Sequence, residues 1–142
     1  MDIHRLRNTL GAALLLLTLS LAASPAAWSA GARAAAPVTV LRSSVCAAIM
    51  DREPFPATAS KDFKSEVGLL YFWNDLAVDG STVSVRHRWS VDGAISLEVR
   101  LQARPPRTRT WSSARIRAGS WKVEVLSESG SVLKAERFKV LP

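Results

Sequence analysis

The sequence predicts an all-β fold: a single antiparallel β-sandwich of immunoglobulin-like general shape, with about seven strands, preceded by a signal peptide. Three observations carry this prediction. Apolar residues alternate with polar ones in several segments, most cleanly in STVSVRHRWSV, residues 81–91. Gly, Pro, Asp and Ser punctuate the chain between these segments at roughly even spacing. Beyond Pro37 no stretch shows convincing helical periodicity in its apolar positions.

The N-terminus reads as an address. Arg5 and Arg7 form a positive head, TLGAALLLLTLSLAA an apolar run, and small residues follow, so residues 1–32 are expected to be an export signal cut within 26–34. No charge stands between Arg7 and Arg33, and an uncleaved membrane anchor is therefore the competing reading. Pro25, the short leucine core and the small pair Ala30 and Ala32 favour cleavage. Membrane contact is expected only if the segment is kept. Cys46 follows SSV, far from the apolar run, which does not fit a lipid-attachment site. Residues 33–37 are a small-residue linker ending at Pro37, and 38–142 form the domain, long enough to bury a core without staples.

Within the domain, Val38 to Ile49 is β-branched and apolar enough for a first strand. The prolines of MDREPFPATASKD argue for a long loop after it. Val67 to Leu76 is a second strand with Val67, Leu69, Tyr71 and Trp73 on one side and Leu70 and Phe72 on the other, apolar on both and so central. In the third, Val83, Val85, His87, Trp89 and Val91 point inward, and Ser84, Arg86, Arg88 and Ser90 outward. Alternation resumes with Ile95, Leu97, Val99 and Leu101. A two-residue Asp92-Gly93 turn would set apolar positions against polar ones, so a three-residue loop pairing Ser90 with Ala94 and Trp89 with Ile95 is expected. Pro105-Pro106 opens a fifth strand, RTRTWSSARIR, in which the arginines share a face with Trp111 while small even-numbered residues face the core. SWKVEVLS and VLKAERFKVL complete the set.

The whole chain carries a net charge of +7; Arg5, Arg7 and Asp2 precede Arg33, which leaves 17 Lys and Arg against 11 Asp and Glu in the remainder. A basic domain suggests a polyanion. Export argues against nucleic acid and for an anionic envelope polymer, a lipid or a protein. From Arg100 to Lys122 there are seven cations and no acid.

Several motifs taken in order, CAAIMDREP, Phe63, VGLLYF, HRW, RTWSS, GSWKVEVL and the terminal FKV, resemble the bacterial domain-of-unknown-function family 2914, over residues 42–141. The resemblance implies an exported or membrane-attached module, in some members the last module of a larger protein, with no established activity. The chain departs from that pattern at Phe72, where a cysteine is frequent, and at Thr108, where an aromatic is. The first departure leaves Cys46 without a cysteine partner and weakens any redox role.

Candidate sites follow. The expected contact surface is Arg107, Arg109, Trp111, Arg115 and Arg117, joined by Arg86 and Arg88 if their strand shares the same face; arginine suits phosphate or carboxylate, and Trp111 a ring. The bland reading of these residues is a solvated strand face. The expected function is therefore a non-enzymatic exported module, periplasmic or extracellular, that binds or scaffolds an envelope component. The alternative is an envelope hydrolase or transferase using His87 with Cys46 or with a carboxylate of the Asp51–Glu53 loop. Against it, a lone inward histidine is ordinarily a core residue, and DREP a loop clasp. Too few ligands are visible for zinc or calcium, so neither metal nor cofactor is expected.

Overall fold

The computed structural model describes residues 37–57 and 60–142. The expected signal segment 1–32, and the linker up to Pro37, lie outside the described residues. The strands are β1 (Val38–Cys46), β2 (Ala48–Met50), β3 (Glu53–Phe55), β4 (Asp62–Lys64), β5 (Leu69–Val78), β6 (Val83–Val91), β7 (Ala94–Ala103), β8 (Arg107–Arg115), β9 (Gly119–Leu126) and β10 (Val132–Leu141). A smaller sheet has the order β1-β5-β8 and a larger one β4-β10-β9-β6-β7, while β2 and β3 form a separate hairpin. The pairs are antiparallel except for β4, which runs parallel to β10. The fold is the expected β-sandwich.

The alternation in the sequence is what closes it. On β5, Leu70, Phe72, Asn74, Leu76 and Val78 are buried facing the larger sheet. Opposite them stand Val85, His87, Trp89 and Val91 of β6, with Trp121, Val123, Phe138 and Val140 of β9 and β10. Trp89, with no exposed surface, is the hub. Phe72, Trp121 and Phe138 meet it edge-on at 6.2, 6.4 and 6.4 Å, and Trp121 stacks on Phe138 at 6.0 Å. Each such aromatic removes roughly 150–250 Å² from water, and edge contacts add about 0.5–1.5 kcal/mol apiece, so this cluster dominates the packing.

Three expectations are corrected. The segment after Met50 is not all loop: Asp51 and Arg52 adopt φ of 49° and 63°, a type I′ turn that folds β2 back on β3 with Pro54 inside a short strand. Val67 belongs to a 3-10 turn, Ser65–Val67, so β5 begins at Leu69. The β6–β7 connection is the two-residue turn, with Asp92 and Gly93 at φ of 51° and 82° and Val91 paired to Ala94. A bulge between Trp89 and Ser90 then restores parity, pairing Trp89 with Leu97, His87 with Val99 and Val85 with Leu101. The extra residue absorbs the one-residue conflict that the sequence alone assigns to a longer loop.

The turn is tied down by its own aspartate. Asp92 Oδ1 accepts from the Ser120 backbone N–H at 2.9 Å, and Oδ2 from Arg117 Nη1 at 3.0 Å. Those two hydrogen bonds, the backbone one first, hold the Asp92 carboxyl below its ordinary range. Gly119 sits against this clamp at φ +151°, where a Cβ would come within 2.9 Å of Asp92 Oδ2 and 3.0 Å of Val91 Cγ2. Gly119→Ala is expected to cost about 1–3 kcal/mol, measured by urea unfolding, because both the backbone and the clamp must shift.

Candidate functional site

β8 forms the open edge of the smaller sheet and is paired only with β5. Ser112 and Ala114 are buried, as the parity requires, and Arg107, Arg109, Trp111 and Arg115 stand together on the outer face. Arg117 follows the strand and reaches the β6–β7 turn. Arg86 and Arg88 are on the outer face of the other sheet, so the two arginine groups do not converge.

Most of these guanidinium groups are already engaged. Asp75, on the outer face of β5 with no exposed side-chain surface, accepts from Arg107 Nε at 2.7 Å and from Arg107 Nη2. Arg42 Nη2 approaches the same carboxylate at 3.3 Å. The Arg107 hydrogen bonds hold Asp75 below the usual carboxylate range, and Arg42 adds to the effect against the opposing cost of burial. Glu53 pairs with Arg42 at 3.2 Å and with Arg109 at 3.0 Å. Trp73, paired with Trp111, donates from Nε1 to the Arg52 carbonyl at 2.9 Å, and the Arg42 guanidinium lies 4.8 Å from its ring centre. DREP is thus a clasp: the β2–β3 hairpin lies over the outer face of the smaller sheet and anchors there through Arg52 and Glu53. Arg88 and Arg86 share Glu98, at 2.6 and 3.6 Å. Of the arginines singled out from the sequence, Arg115 alone makes no ion pair among the described residues.

His87 is sealed in the core. Its Nε2 lies 3.0 Å from Asn74 Nδ2 and its Nδ1 2.8 Å from Ser112 Oγ, which also accepts from Trp89 Nε1 at 3.0 Å. Burial lowers its pKa to about 3, so the ring is neutral at ordinary pH. Cys46 pairs with Tyr71 on the opposite face of the smaller sheet, under the hairpin. Its thiol pKa is raised by burial, offset in part by backbone groups of Phe55 and Ala48. Neither Cys46 nor the carboxylates of the Asp51–Glu53 turn faces His87.

A second cationic surface was not legible as a site in the sequence. On the outer face of the larger sheet a concavity of about 520 Å³ is lined by Lys61, Asp62, Ser90, Ser120, Lys122, Arg137 and Lys139, with Gly93 at its rim. Ser90 pairs with Lys122, and Lys122 with Arg137, so two cations face each other directly across neighbouring strands. Lys139 faces Ser120 on one side and Asp62 on the other. Lys122 reaches Glu124 at 3.0 Å; Lys61, Arg137 and Lys139 make no ion pair among the described residues. Like charges directly opposite destabilise a sheet, so their juxtaposition has no structural return. No run of basic residues announces them, because they come from two strands and a loop. Knowledge of the β9–β10 register would have found them.

Residues 83–140, from β6 to the end of the domain, match the family model described as a protein of unknown function, DUF2914. The match spans 58 of the 142 residues, less than half of the chain. The DUF2914 match carries Lys122, Arg137 and Lys139, while the clasp residues Arg42, Glu53 and Asp75 precede it. No curated protein matches the sequence. Among solved structures, a β-glucosidase from Kluyveromyces marxianus in complex with glucose is similar at 14% identity and a TM-score of 0.41, over 52% of this chain and 12% of that one. The selenomethionine-labelled form of the β-glucosidase gives 12%, 0.42, 71% and 14% respectively. The CARDB domain of a Pyrococcus furiosus protein in complex with di-metal ions gives 10% identity and a TM-score of 0.43, over 75% of this chain and 89% of that one. The chain therefore spans only a small part of the β-glucosidases, and likeness at this level says nothing about activity.

Two outcomes follow from the buried groups. Arg107→Gln leaves a buried carboxylate without its principal partner and is expected to lower the urea midpoint, whereas Arg115→Gln leaves it unchanged. For His87 the folded pKa lies below the unfolded one, so its contribution is complete above about pH 6.5 and is lost as pH falls toward 3. Between pH 7 and pH 5 urea unfolding should show a loss of about 2 kcal/mol from this group, a loss absent in His87→Gln.

Proposed function

We propose that this domain is a non-enzymatic exported module that binds or scaffolds an anionic component of a bacterial envelope. Its binding surface is the cationic concavity of the larger sheet. One observation carries the reading: Lys61, Arg137 and Lys139 line a single concavity of about 520 Å³, with Asp62 the one acid in its lining, and make no ion pair among the described residues. That size lies within the range of roughly 300–1,000 Å³ found for ligand pockets. Trp121 and Phe138 are the apolar residues of its lining, and Ser90 and Ser120 supply neutral polar groups beside the cations. Arg137 offers the planar fork that suits phosphate or carboxylate.

On the face proposed from the sequence, by contrast, Asp75 and Glu53 neutralise Arg107 and Arg109, leaving Arg115 beside half-buried Trp111 as a secondary contact. Non-enzymatic binding is favoured because the polar side chains with chemical potential are used elsewhere: His87 in the core, Cys46 under a hairpin, Glu53 in the clasp.

The full chain is expected to be retained on immobilised lipopolysaccharide and released by salt, with a slope of retention against log salt that counts the ionic contacts. Replacing Lys61, Arg137 and Lys139 together with Gln should reduce that slope by about three and the affinity at least tenfold. Arg115→Gln should reduce the slope by about one at most. Retention that ignores the triple replacement would remove the concavity as the binding surface, and retention that ignores salt would remove the anionic ligand.

A further inference from the structure

The larger sheet ends at β4, three residues long, on one side and at β7, ten residues long, on the other. Among the described residues no strand lies beyond β7. An edge of that length presents a row of backbone N–H and C=O groups that can template another strand, and proteins blunt such edges with prolines, lysines, bulges or brevity. β7 contains neither proline nor lysine. Its bulge lies before Leu97, which leaves Leu97–Ala103 in regular register with β6. Leu97, opposite Trp89 on the inward face of this rim strand, is 37% exposed, and Ile95, opposite Ser90 on the other side of the bulge, is 61% exposed.

We propose that β7 pairs antiparallel with β7 of a second copy of the chain about a two-fold axis through Val99, joining the two larger sheets into one. The strand's own sequence selects this partner. Side chains directly opposite in an antiparallel pair lie on the same side of the sheet, so the two inward faces stay continuous only when odd positions meet odd ones. With Val99 on the axis, Glu98 faces Arg100 and Arg100 faces Glu98; Leu97 faces Leu101 twice, and Ser96 faces Gln102. Moving the axis to Glu98 or to Arg100 sets two carboxylates or two guanidinium groups against each other. Moving it to Leu97 brings the bulge next to the axis and sets Glu98 against Ser96, and moving it to Leu101 sets Arg100 against Gln102 and ends the pairing at Ala103, so both lose the Glu98–Arg100 match.

The two edges of the smaller sheet behave differently. β1 is broken by a bulge between Val40 and Arg42. β8 contains no acid, and self-pairing about Trp111 would place Arg107 against Arg115. A second copy is therefore matched to β7 and repelled at β8. The inference does not depend on what the concavity binds.

Sedimentation equilibrium of the full chain, with Arg100→Glu, with Glu98→Arg and with both changes, tests the pairing. The wild-type chain should dimerise, either single change should weaken association about tenfold or more, and the double change, which restores opposite charges, should recover it. Under mild oxidant Val99→Cys should join two copies through a disulfide. Gln102→Cys, which would face Ser96 of the other copy, should not. A wild-type chain that stays monomeric, a dimer indifferent to the charge changes, or equal cross-linking at 99 and 102 overturns the proposal.

Discussion

Asn74 and Asp75 are consecutive residues on the central strand of the smaller sheet, and neither has any exposed surface. A strand sends neighbouring side chains to opposite faces, so one polar group enters the core and the next enters the outer layer. Each must find partners where it lands, since a buried amide or carboxylate left alone is costly. Asn74 finds His87, which finds Ser112, which finds Trp89. Asp75 finds Arg107 and Arg42, and through Arg42 the hairpin residue Glu53. The register of β1, β5 and β8, the match of the two sheets and the seat of the hairpin all meet at this pair of positions.

The same constraint explains why the most basic segment is not the most available one. β8 has no acid of its own, but a strand's neighbours in space come from elsewhere in the sequence. Asp75 from β5 and Glu53 from the hairpin supply the charges that β8 lacks. On the larger sheet the outcome is reversed. There Glu98 pairs with Arg86 and Arg88 and Glu124 with Lys122, while Lys61, Arg137 and Lys139 gather around the concavity with no ion pair among the described residues.

How far the sequence could be read follows from this. The alternation in β6 and the two-sided apolar character of β5 depend only on the period of a strand, and both survive in the structure, as does the outward stand of Arg107, Arg109, Trp111 and Arg115. The Asp92-Gly93 turn was visible as a turn, but a bulge that repairs its register has no local signature. The β2–β3 hairpin was hidden by Pro54, which a strand paired on one side only tolerates. Asp75 looked like one polar residue in an apolar run. Its importance comes from Arg42 and Arg107, 33 and 32 residues away. The concavity needed the pairing of β10 with both β9 and β4, one antiparallel and one parallel, which no periodicity encodes.

Cys46 lies beneath the β2–β3 hairpin, 2% exposed, and its burial raises the thiol pKa. Thiol exchange and oxidation proceed through an accessible thiolate, and both conditions are withheld here. The domain therefore carries its sulfur as packing material. Glutathione, molecular oxygen or a disulfide-forming enzyme would meet the same inert surface, and the fold can pass between reducing and oxidising surroundings without a change in covalent structure.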